Sequence, residues 1–256
     1  MTAGTRAESA PAQRTDPAAP EDSRRSIDLR YLARPALTTR PHYFPFVRDA
    51  ARDRLGALAA PRVCELGCAN GAFAAYLLEI FPELDYTGVD VLPELVACAR
   101  TEVPGGAFAV GDVAIPESLP RGPFDAVFML TIHSLFDEPA SWVRSIRALL
   151  APSGTAYVFG LFNPEPVDVR VRLRDRGAGT EWLPGWNQLS EHTVAEALDS
   201  CRLAHRFIRY RPVHERAPDP VDPLRSYTVP DPEGGLVYLN GGQFLHRFAL
   251  LEVTRP

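Results

Sequence analysis

Apolar positions in the first two thirds of the chain alternate between helical spacing and short continuous runs. From Tyr43 to Leu58 they recur every three or four residues, with charged side chains on the opposite face, which predicts an amphipathic helix. Strands are predicted at Arg62–Leu66, Tyr86–Val89, Ala107–Val110, Phe124–Leu130 and Thr155–Phe159, and further helices at Ala72–Phe81, Pro93–Thr101 and Pro139–Leu150. This alternation predicts an α/β fold with right-handed crossovers and a doubly wound, mostly parallel sheet.

The last third of the chain begins with a row of arginines. Val169–Leu173 alternates apolar residues with arginines, which predicts a strand with one arginine face. The arginines are Arg170, Arg172 and Arg174. Such a row either clamps a carboxylate or phosphate of a substrate or forms a solvated edge that prevents strand aggregation, and we favour the solvated edge.

Helix and strand signals continue to the end of the chain. Ser190 or Thr193 is expected to cap a helix that ends at Cys201. Strands are predicted at His205–Arg211 and Phe244–Thr254. A connection rich in Pro and Gly separates these two strands, and a long irregular connection of this kind is usually a lid or a mobile insert.

Length and composition favour one domain with a tail. A chain of 256 residues can bury one substantial core. Residues 1–25 show no apolar periodicity and are expected to form a disordered tail, which leaves one domain over residues 26–256. Hydrophobic residues make up 46% and charged residues 23% of the chain, as in an ordinary globular protein.

Charge and hydropathy narrow the partners and the location. All 27 basic residues are arginines, a bias that we attribute, with the many Ala and Pro residues, to GC-rich coding. The net charge of -5 gives no general attraction for phosphate backbones, so no nucleic-acid partner is expected. No apolar run is long enough for a signal-peptide core or a membrane span, so we expect a soluble, cytoplasmic protein.

The four cysteines are expected to be reduced thiols. A chain of this size does not need disulfides to stabilise its core. Cys64 and Cys68 flank a glycine turn, and no second pair of ligands follows at zinc-finger spacing. We therefore expect no metal site.

One glycine-containing segment suggests a ligand. Val63-Cys64-Glu65-Leu66-Gly67-Cys68-Ala69-Asn70-Gly71 joins the first predicted strand to the next helix, where a doubly wound sheet binds its ligand. Gly67 and Gly71 allow a tight turn close to that ligand, and the helix amides beyond Gly71 point their positive end toward it. A dinucleotide fingerprint needs glycine at Ala69, whereas a carboxylate at Glu65 suits a cationic ligand.

This segment resembles the first motif of the class I S-adenosylmethionine-dependent methyltransferases, an acidic residue followed by x-G-x-x-x-G after the first strand. The resemblance covers roughly Arg62 to Phe159. It implies a seven-stranded sheet with an antiparallel last strand, S-adenosyl-L-methionine as the cofactor, and methyl transfer. It also implies a cofactor half at residues 43–160 and a substrate-side insert at residues 161–190 and 212–243. Ala69 and Asn70 stand where many members have a third glycine, so this loop should be slightly stiffer.

Further acidic residues fall where that family contacts its cofactor. The resemblance implies that Asp90 accepts hydrogen bonds from both ribose hydroxyls and that Asp112 accepts one from the adenine amino group. Singly, Asp90 could instead cap a helix and Asp112 could start a turn. The residues expected to bind the cofactor are Tyr43, Glu65, Gly67, Cys68, Gly71, Asp90, Val91, Gly111, Asp112, Val113 and Leu130.

His133 is the candidate general base. It follows the fourth predicted strand by one turn, which the resemblance places beside the sulfonium of the cofactor. An imidazole titrates near neutrality, as a base for a hydroxyl or phenol requires. A histidine here is also common in the family as a packing residue, and that alternative stays open.

Two stretches are expected to build the substrate pocket. In the family, the stretch before the first helix often folds over the cofactor, although its aromatic residues could equally staple the helix start. The loop after the fifth strand combines rings with a few polar groups, which suits an organic ligand, while core packing is the alternative. The residues expected to bind substrate are His42, Asn163, Trp182, Trp186 and Asn187.

The expected function is methyl transfer to an oxygen or nitrogen atom of a small organic molecule, in bacterial specialised metabolism. A nucleic-acid or protein methyltransferase is the alternative, favoured only if Arg202, Arg206, Arg209 and Arg211 form one basic surface. A non-catalytic cofactor-binding protein, an enzyme that uses the sulfonium without methyl transfer and, remotely, a nicotinamide dehydrogenase stay open. The expected partner is a small-molecule substrate rather than a nucleic acid or a membrane. The existence of a homodimer is left open.

Overall fold

The computed structural model describes residues 29–174, 182–218, 226–239 and 245–256, and its strands and helices alternate up to residue 161. The strands are β1 (Arg62–Leu66), β2 (Asp85–Asp90), β3 (Ala107–Val110), β4 (Phe124–Leu130) and β5 (Leu150–Leu161). The helices are α1 (Tyr43–Gly56), α2 (Ala72–Ile80), α3 (Pro93–Glu102) and α4 (Ala140–Leu149), with 3-10 turns at Leu29–Ala33, Pro116–Ser118 and His133–Leu135. Every strand and helix predicted up to residue 161 is present. The ends of most of these elements differ by a few residues from the predicted ones.

The last third of the chain adds one helix and several short strands. These are β6 (Arg172–Leu173), β7 (Leu183–Pro184), α5 (Glu191–Ser200), β8 (Ala204–Tyr210), β9 (Tyr227–Pro230), β10 (Leu236–Leu239), β11 (Leu245–His246) and β12 (Phe248–Thr254). Ser190 is the N-cap of α5, because its hydroxyl accepts a hydrogen bond of 3.0 Å from the Thr193 amide.

Two predictions for this part are wrong in detail. The strand predicted at Val169–Leu173 is reduced to β6 and one isolated bridge between Val169 and Gln188. The connection predicted to be irregular holds β9 and β10, which form an antiparallel three-stranded sheet with β11. Each of these strands has at most four residues between turns rich in Pro or Gly, which is too short for a clear alternation.

Seven strands form the main sheet in the order β3-β2-β1-β4-β5-β12-β8. The strands from β3 to β5 are parallel, and β12 runs antiparallel to both β5 and β8. Phe248 at the start of β12 lies opposite Leu161 and Tyr210, the last residues of β5 and β8. The carboxyl ends of β1, β4, β5 and β8 therefore lie along one edge of the sheet, together with the start of β12.

Helices cover both faces of this sheet. Phe44, Val47 and Leu55 of α1 are buried on the face that α2 and α3 also cover. Trp142 and Ile146 of α4 are fully buried on the opposite face, which α5 shares. A large apolar side chain contributes roughly 1.5–3 kcal/mol when it is fully buried. The helical spacing of these residues therefore stabilises a three-layer packing, with the sheet between two layers of helices.

The described residues include no helix with both the length and the apolar character needed to cross a membrane. All four cysteines are free thiols, and Cys64 and Cys68 are buried. Burial raises the pKa of the Cys64 thiol to about 12, so this group is an uncharged part of the core.

Candidate functional site

The loop between β1 and α2 turns tightly through two glycines. Gly67 has φ of 77° and Gly71 has φ of 85°, in the left-handed region that favours glycine. The amides of Gly67 and Cys68 both donate to the carbonyl of Val89, at 2.7 and 2.9 Å, and hold the loop against the end of β2. The two predicted turns are therefore present at the carboxyl edge of the sheet.

The side chain of Ile132 also requires a glycine at position 67. A Cβ atom at this position would lie 2.5 Å from Cδ1 of Ile132, in the segment after β4. A Cβ atom at Gly71 would lie 3.2 Å from Ala99 and Val103 in and after α3. The sequence alone suggested close approach to a ligand, whereas the structure shows close approach to other parts of the chain.

Glu65 is a buried carboxylate at the end of β1. It is 3% exposed and accepts a hydrogen bond of 2.5 Å from the hydroxyl of Tyr86. Burial raises the pKa of Glu65 to about 8, and the nearby Asp90 adds to this effect. No arginine or histidine among the described residues pairs with it. A cationic ligand would stabilise the ionised form of this group.

Asp90 at the end of β2 holds the neighbouring loops. Its carboxylate accepts hydrogen bonds from the amides of Ala69 at 2.9 Å and Leu92 at 3.0 Å. Burial raises its pKa, although these hydrogen bonds oppose the shift. Val91, the next residue, is 56% exposed. A carboxylate has further lone pairs, so these two bonds leave Asp90 able to accept from a ligand.

The segment after β3 places Asp112 beside the same edge. Asp112 is half-buried, and its Oδ1 accepts a hydrogen bond of 2.8 Å from the amide of Ala114. Gly111 donates through its amide to the carbonyl of Asp90 at 3.0 Å. The side chain of Val113 is buried in the core, and its carbonyl accepts from Ser145. Only Asp112 of these three presents a polar side chain.

Leu130 and Thr131 end β4 beside the first loop. Leu130 is buried, and Thr131 has φ of 66°, which is strained for a β-branched residue. Thr131 donates through its amide to the carbonyl of Phe159 at 2.7 Å, and its side chain hydrogen-bonds with Tyr43. Thr131 was missed because no local sequence signal predicts a threonine with positive φ.

Tyr43 lies across this edge from the start of α1. Its ring stacks on Phe159, with 4.5 Å between ring centroids and an interplanar angle of 15°. Burial raises the pKa of Tyr43, and electrostatic repulsion from Tyr31 and Glu65 adds to the shift. Tyr43 therefore lies within the electrostatic influence of Glu65.

His133 is placed inside the core. It is 4% exposed, and its ring stacks on Phe162 with 4.3 Å between centroids. Its Nε2 lies 3.0 Å from the carbonyl of Leu161, while Nδ1 is buried and has no hydrogen-bond partner among the described residues. A Cβ atom at Gly160 would collide with the imidazole. Burial lowers the pKa of His133 to about 4, so the ring is neutral at physiological pH.

The two amides predicted to bind substrate hold loops together. Asn187 is fully buried, accepts from the Val171 amide at 2.8 Å and donates to the Phe136 carbonyl and to Asp137. Asn163 accepts from the Glu165 amide and donates to the Val167 carbonyl at 2.8 Å. Both side chains are engaged within the chain, and this explains their place in the sequence without a ligand.

The predicted arginine face is exposed and paired. Arg170 forms an ion pair with Glu138, and Arg172 forms one with Asp137 at 2.6 Å. The guanidinium of Arg174 lies over the ring of Trp182, 4.7 Å from its centroid. The two ion pairs tie the insert to the segment after β4, whereas the contact of Arg174 with Trp182 lies within the insert.

The remaining predicted pocket residues are more open. Trp182 is 55% exposed and Trp186 is half-buried. His42 is exposed, and its ring lies 4.4 Å from that of His214, which follows β8. His214 was not predicted, because the connection after β8 carries no signal that it returns to the start of α1.

Asn70, which was treated only as a departure from the glycine pattern, connects the first loop to the chain before α1. It is 1% exposed, and its amide donates to the carbonyls of Tyr31 at 3.1 Å and Arg34 at 2.5 Å. Asparagine at a position where many relatives carry glycine was the available signal. The N-terminal segment therefore lies directly against the glycine loop.

Sequence comparison finds similar proteins for the part of the chain that contains this site. The profile of a family described as "Methyltransferase domain" matches residues 64–156. A trans-aconitate 2-methyltransferase of Methylobacterium nodulans is 37% identical over 121 residues, 47% of this chain and 46% of that relative. One from an Acidovorax species is 41% identical over 100 residues, 39% of this chain and 38% of the relative. The chain thus spans less than half the length of these curated relatives.

Solved structures match a larger part of the chain. A complex of DhpI described as DhpI-SAM-HEP has a TM-score of 0.58 and 19% identity, over 94% of this chain and 100% of that chain. A SAM-bound amino pentose methyltransferase from Micromonospora echinaspora, involved in calicheamicin biosynthesis, has a TM-score of 0.55 and 16% identity, over 89% and 97%. At these identities the likeness concerns the fold, and it confirms the predicted seven-stranded sheet with its antiparallel strand.

Proposed function

We propose that this chain, whose residues 64–156 match a family described as "Methyltransferase domain", transfers the methyl group of S-adenosylmethionine to an oxygen or nitrogen atom of a small organic molecule. The observation that carries the proposal is the buried carboxylate of Glu65. It lies at the end of β1 beside the glycine loop, without a described cation. A ligand with a sulfonium and an ammonium group suits such a carboxylate.

Side chains at the carboxyl edge would hold the cofactor. Glu65 faces the cationic part, and Asp90 keeps lone pairs free for the two ribose hydroxyls. Asp112 and the exposed Val91 lie at the neighbouring strand ends, where the adenine would be bound. Tyr43 supplies a ring whose face can attract a sulfonium by a cation–π interaction.

The cofactor supplies an electrophilic methyl carbon, so the acceptor atom forms a bond to carbon while the carbon–sulfur bond breaks and leaves its electron pair on sulfur. The chain contributes mainly orientation, because a displacement at carbon requires an in-line nucleophile. Tyr43, Leu130 and Thr131 fix the walls around the reacting atoms. The acceptor's proton, where there is one, is released to water.

His133 is poorly placed to act as a general base. The imidazole is buried against Phe162, and its Nε2 is engaged with the Leu161 carbonyl. A pKa lowered to about 4 makes it a poor proton acceptor near neutrality. The geometry favours the packing role that the sequence left open.

A small-molecule acceptor is favoured over a nucleic acid by the charge of the last third. Arg206 pairs with Glu252 at 2.6 Å, Arg209 pairs with Glu191, and Arg211 lies 4.0 Å from Glu233. Carboxylates thus offset three of the four arginines that could have formed one basic surface. The curated relatives are named for trans-aconitate, itself a small organic acid, and a role in specialised metabolism extends the proposal by analogy.

Cofactor binding and transfer can be tested separately. Calorimetry should show binding of S-adenosylmethionine and S-adenosylhomocysteine and none of NAD. The chain should then be incubated with a bacterial small-molecule extract and methyl-deuterated S-adenosylmethionine, and mass spectrometry should find a product that carries the labelled methyl group. Binding of NAD alone would contradict the proposal, and cofactor binding without any labelled product would favour the non-catalytic alternative.

A further inference from the structure

A row of aromatic side chains leads from the proposed cofactor site to the sheet formed by β9, β10 and β11. Tyr43 stacks on Phe159, and Phe159 stacks on Phe248 with 5.6 Å between centroids. Phe248 in turn contacts Tyr238 at 5.4 Å and His246 at 6.1 Å, both edge-on. The row therefore joins the two parts of the chain through consecutive ring contacts.

The row lies at the carboxyl edge and is partly open. Phe159 is fully buried and forms its floor. Tyr43, Tyr210, Tyr238 and Phe248 are only half-buried, although each has a large apolar ring. Residues that served core packing alone would be covered more completely, so this arrangement is typical of the wall of a ligand site.

Tyr210, the last residue of β8, presents a hydroxyl in this row. Its ring lies 5.3 Å from Phe159 and 5.1 Å from Phe46. The hydroxyl oxygen is buried, and the hydroxyl of Tyr238 lies beside it. Burial raises the pKa of Tyr210, and the nearby Tyr238 adds to the shift. A phenol hydroxyl has one donor and two lone pairs, so this contact leaves Tyr210 able to hydrogen-bond to a ligand as well.

His246 adds a neutral polar group at the far end of the row. It is 6% exposed, and its Nδ1 shares a hydrogen bond of 2.9 Å with the Ser226 hydroxyl. Tyr238 and His246 lie opposite each other in the β10–β11 pair, so their side chains share one face of the small sheet. Burial lowers the pKa of His246 to about 4, and the ring is uncharged near neutrality.

The polar groups on this wall are mostly uncharged. They are the phenols of Tyr210 and Tyr238 and the Ser226–His246 pair. Arg216 acts electrostatically on Tyr238, and Glu65 lies beyond Tyr43 at the cofactor end. Aromatic faces with neutral donors and acceptors suit a flat ring with hydroxyl groups better than a molecule with several carboxylates, which would need several cations.

We propose that the wall formed by Tyr43, Phe159, Tyr210, Tyr238, Phe248 and His246 binds the methyl acceptor, and that this acceptor is a planar, hydroxyl-bearing ring such as a phenol. The inference rests on the proposed methyl transfer and specifies its acceptor. Tyr210 and Tyr238 hydrogen-bond to the acceptor and position it, and Ser226 orients the imidazole of His246.

A binding experiment on the full-length chain tests this assignment. Methyl 4-hydroxybenzoate serves as the uncharged phenol and trans-aconitate as the polyanion, and NMR saturation transfer measures the affinity of each, with and without S-adenosylhomocysteine. The variants Tyr210→Phe and Tyr238→Phe each remove one hydroxyl and keep the ring. Tyr227→Phe is the matched control. Thr228 lies opposite Tyr238 in the β9–β10 pair, so the neighbouring Tyr227 lies on the other face of the small sheet.

The expected result is saturable binding of the phenol and at least tenfold weaker binding of trans-aconitate. Each of the two variants should weaken phenol binding roughly fivefold, as loss of one hydrogen bond predicts, with no change in the control. Absence of saturable phenol binding, tighter binding of trans-aconitate, or equal affinities in all variants would overturn the assignment. Failure of the chain to bind S-adenosylhomocysteine would instead contradict the proposed methyl transfer, because the phenol titration is also done without it.

Discussion

The hydroxyl of Tyr86 donates a hydrogen bond of 2.5 Å to the carboxylate of Glu65, and both groups are buried. The two residues come from neighbouring parallel strands, β1 and β2, on the face that α1 covers. No cation among the described residues neutralises this carboxylate. The pair therefore makes both the stability of the chain and its affinity for a cationic ligand dependent on pH.

Protonation of Glu65 should make the free energy of unfolding depend on pH. With a folded-state pKa of about 8 against an ordinary value of 4.5, Glu65 keeps a proton that the unfolded chain has released between these values. Its contribution is fully present below about pH 4.5 and decreases as the pH rises to about 8, by about 1.4 kcal/mol per pH unit at most. Urea unfolding at several pH values should show this decrease, and Glu65→Gln should remove it. An unchanged slope in the variant would contradict the assignment.

Ionisation of Glu65 should also make the affinity for the cofactor depend on pH. A cationic ligand favours the charged carboxylate, so binding should release a proton below about pH 8 and become tighter as the pH approaches that value. Calorimetry in two buffers of different ionisation enthalpy measures the released proton. We expect Glu65→Gln to bind more weakly at pH 8 and to release no proton. Proton release that persists in the variant would have to come from another group.

Asp90→Ala should weaken S-adenosylmethionine binding by ~2–3 kcal/mol, because two ribose hydroxyls lose a charged acceptor. The structure adds a second cost, since the amides of Ala69 and Leu92 lose their acceptor as well. Calorimetry gives the affinity, and the melting temperature of the free chain reports the loop. A folded variant with unchanged affinity would show that Asp90 does not bind the cofactor.

Gly67→Val should abolish cofactor binding while much of the sheet remains folded. The new side chain meets Ile132 and is forced into a positive φ that costs ~1–2 kcal/mol. Adding Ile132→Ala removes the collision but not the backbone strain, so the double variant should recover folding stability only in part. Circular dichroism and calorimetry check both statements. Full recovery of binding would show that the positive φ is unimportant.

His133→Ala separates packing from proton transfer. Loss of the buried ring should lower the free energy of unfolding by ~2–4 kcal/mol, as for other large core side chains. A general base would instead give a loss of turnover of ~100-fold or more with stable folding and unchanged cofactor affinity. If His133 were the base, the acidic limb of the wild-type rate would lie near pH 4, where its pKa is placed. We expect the stability effect, and a chain of normal stability with lost turnover would contradict it.

Much of the main sheet could be predicted from the sequence. β1, β3 and β4 have the predicted bounds, because each is a mostly apolar run that borders glycine or proline on at least one side. The glycine loop was recognised by spacing alone, since two residues with positive φ must stand at fixed positions. Local patterns of this kind do not depend on distant parts of the chain.

The roles of the polar side chains could not be predicted in the same way. Asn187 contacts Phe136, which is 51 positions away, and Asp90 holds the amide of Ala69 from 21 positions away. Such partners depend on how the strands are ordered in the sheet. For this reason residues selected for chemistry, including Asn163, Asn187 and His133, are engaged in holding loops and core together.

The side chain of Asn70 couples the stability of the glycine loop to that of the N-terminal segment. Its amide group donates hydrogen bonds to the carbonyls of Tyr31 and Arg34. Detachment of that segment would break both bonds, at a cost of ~1 kcal/mol for each bond. Local unfolding of the segment and distortion of the loop are consequently one cooperative event. Any molecule that tightens the loop would slow amide hydrogen exchange in residues that it never touches.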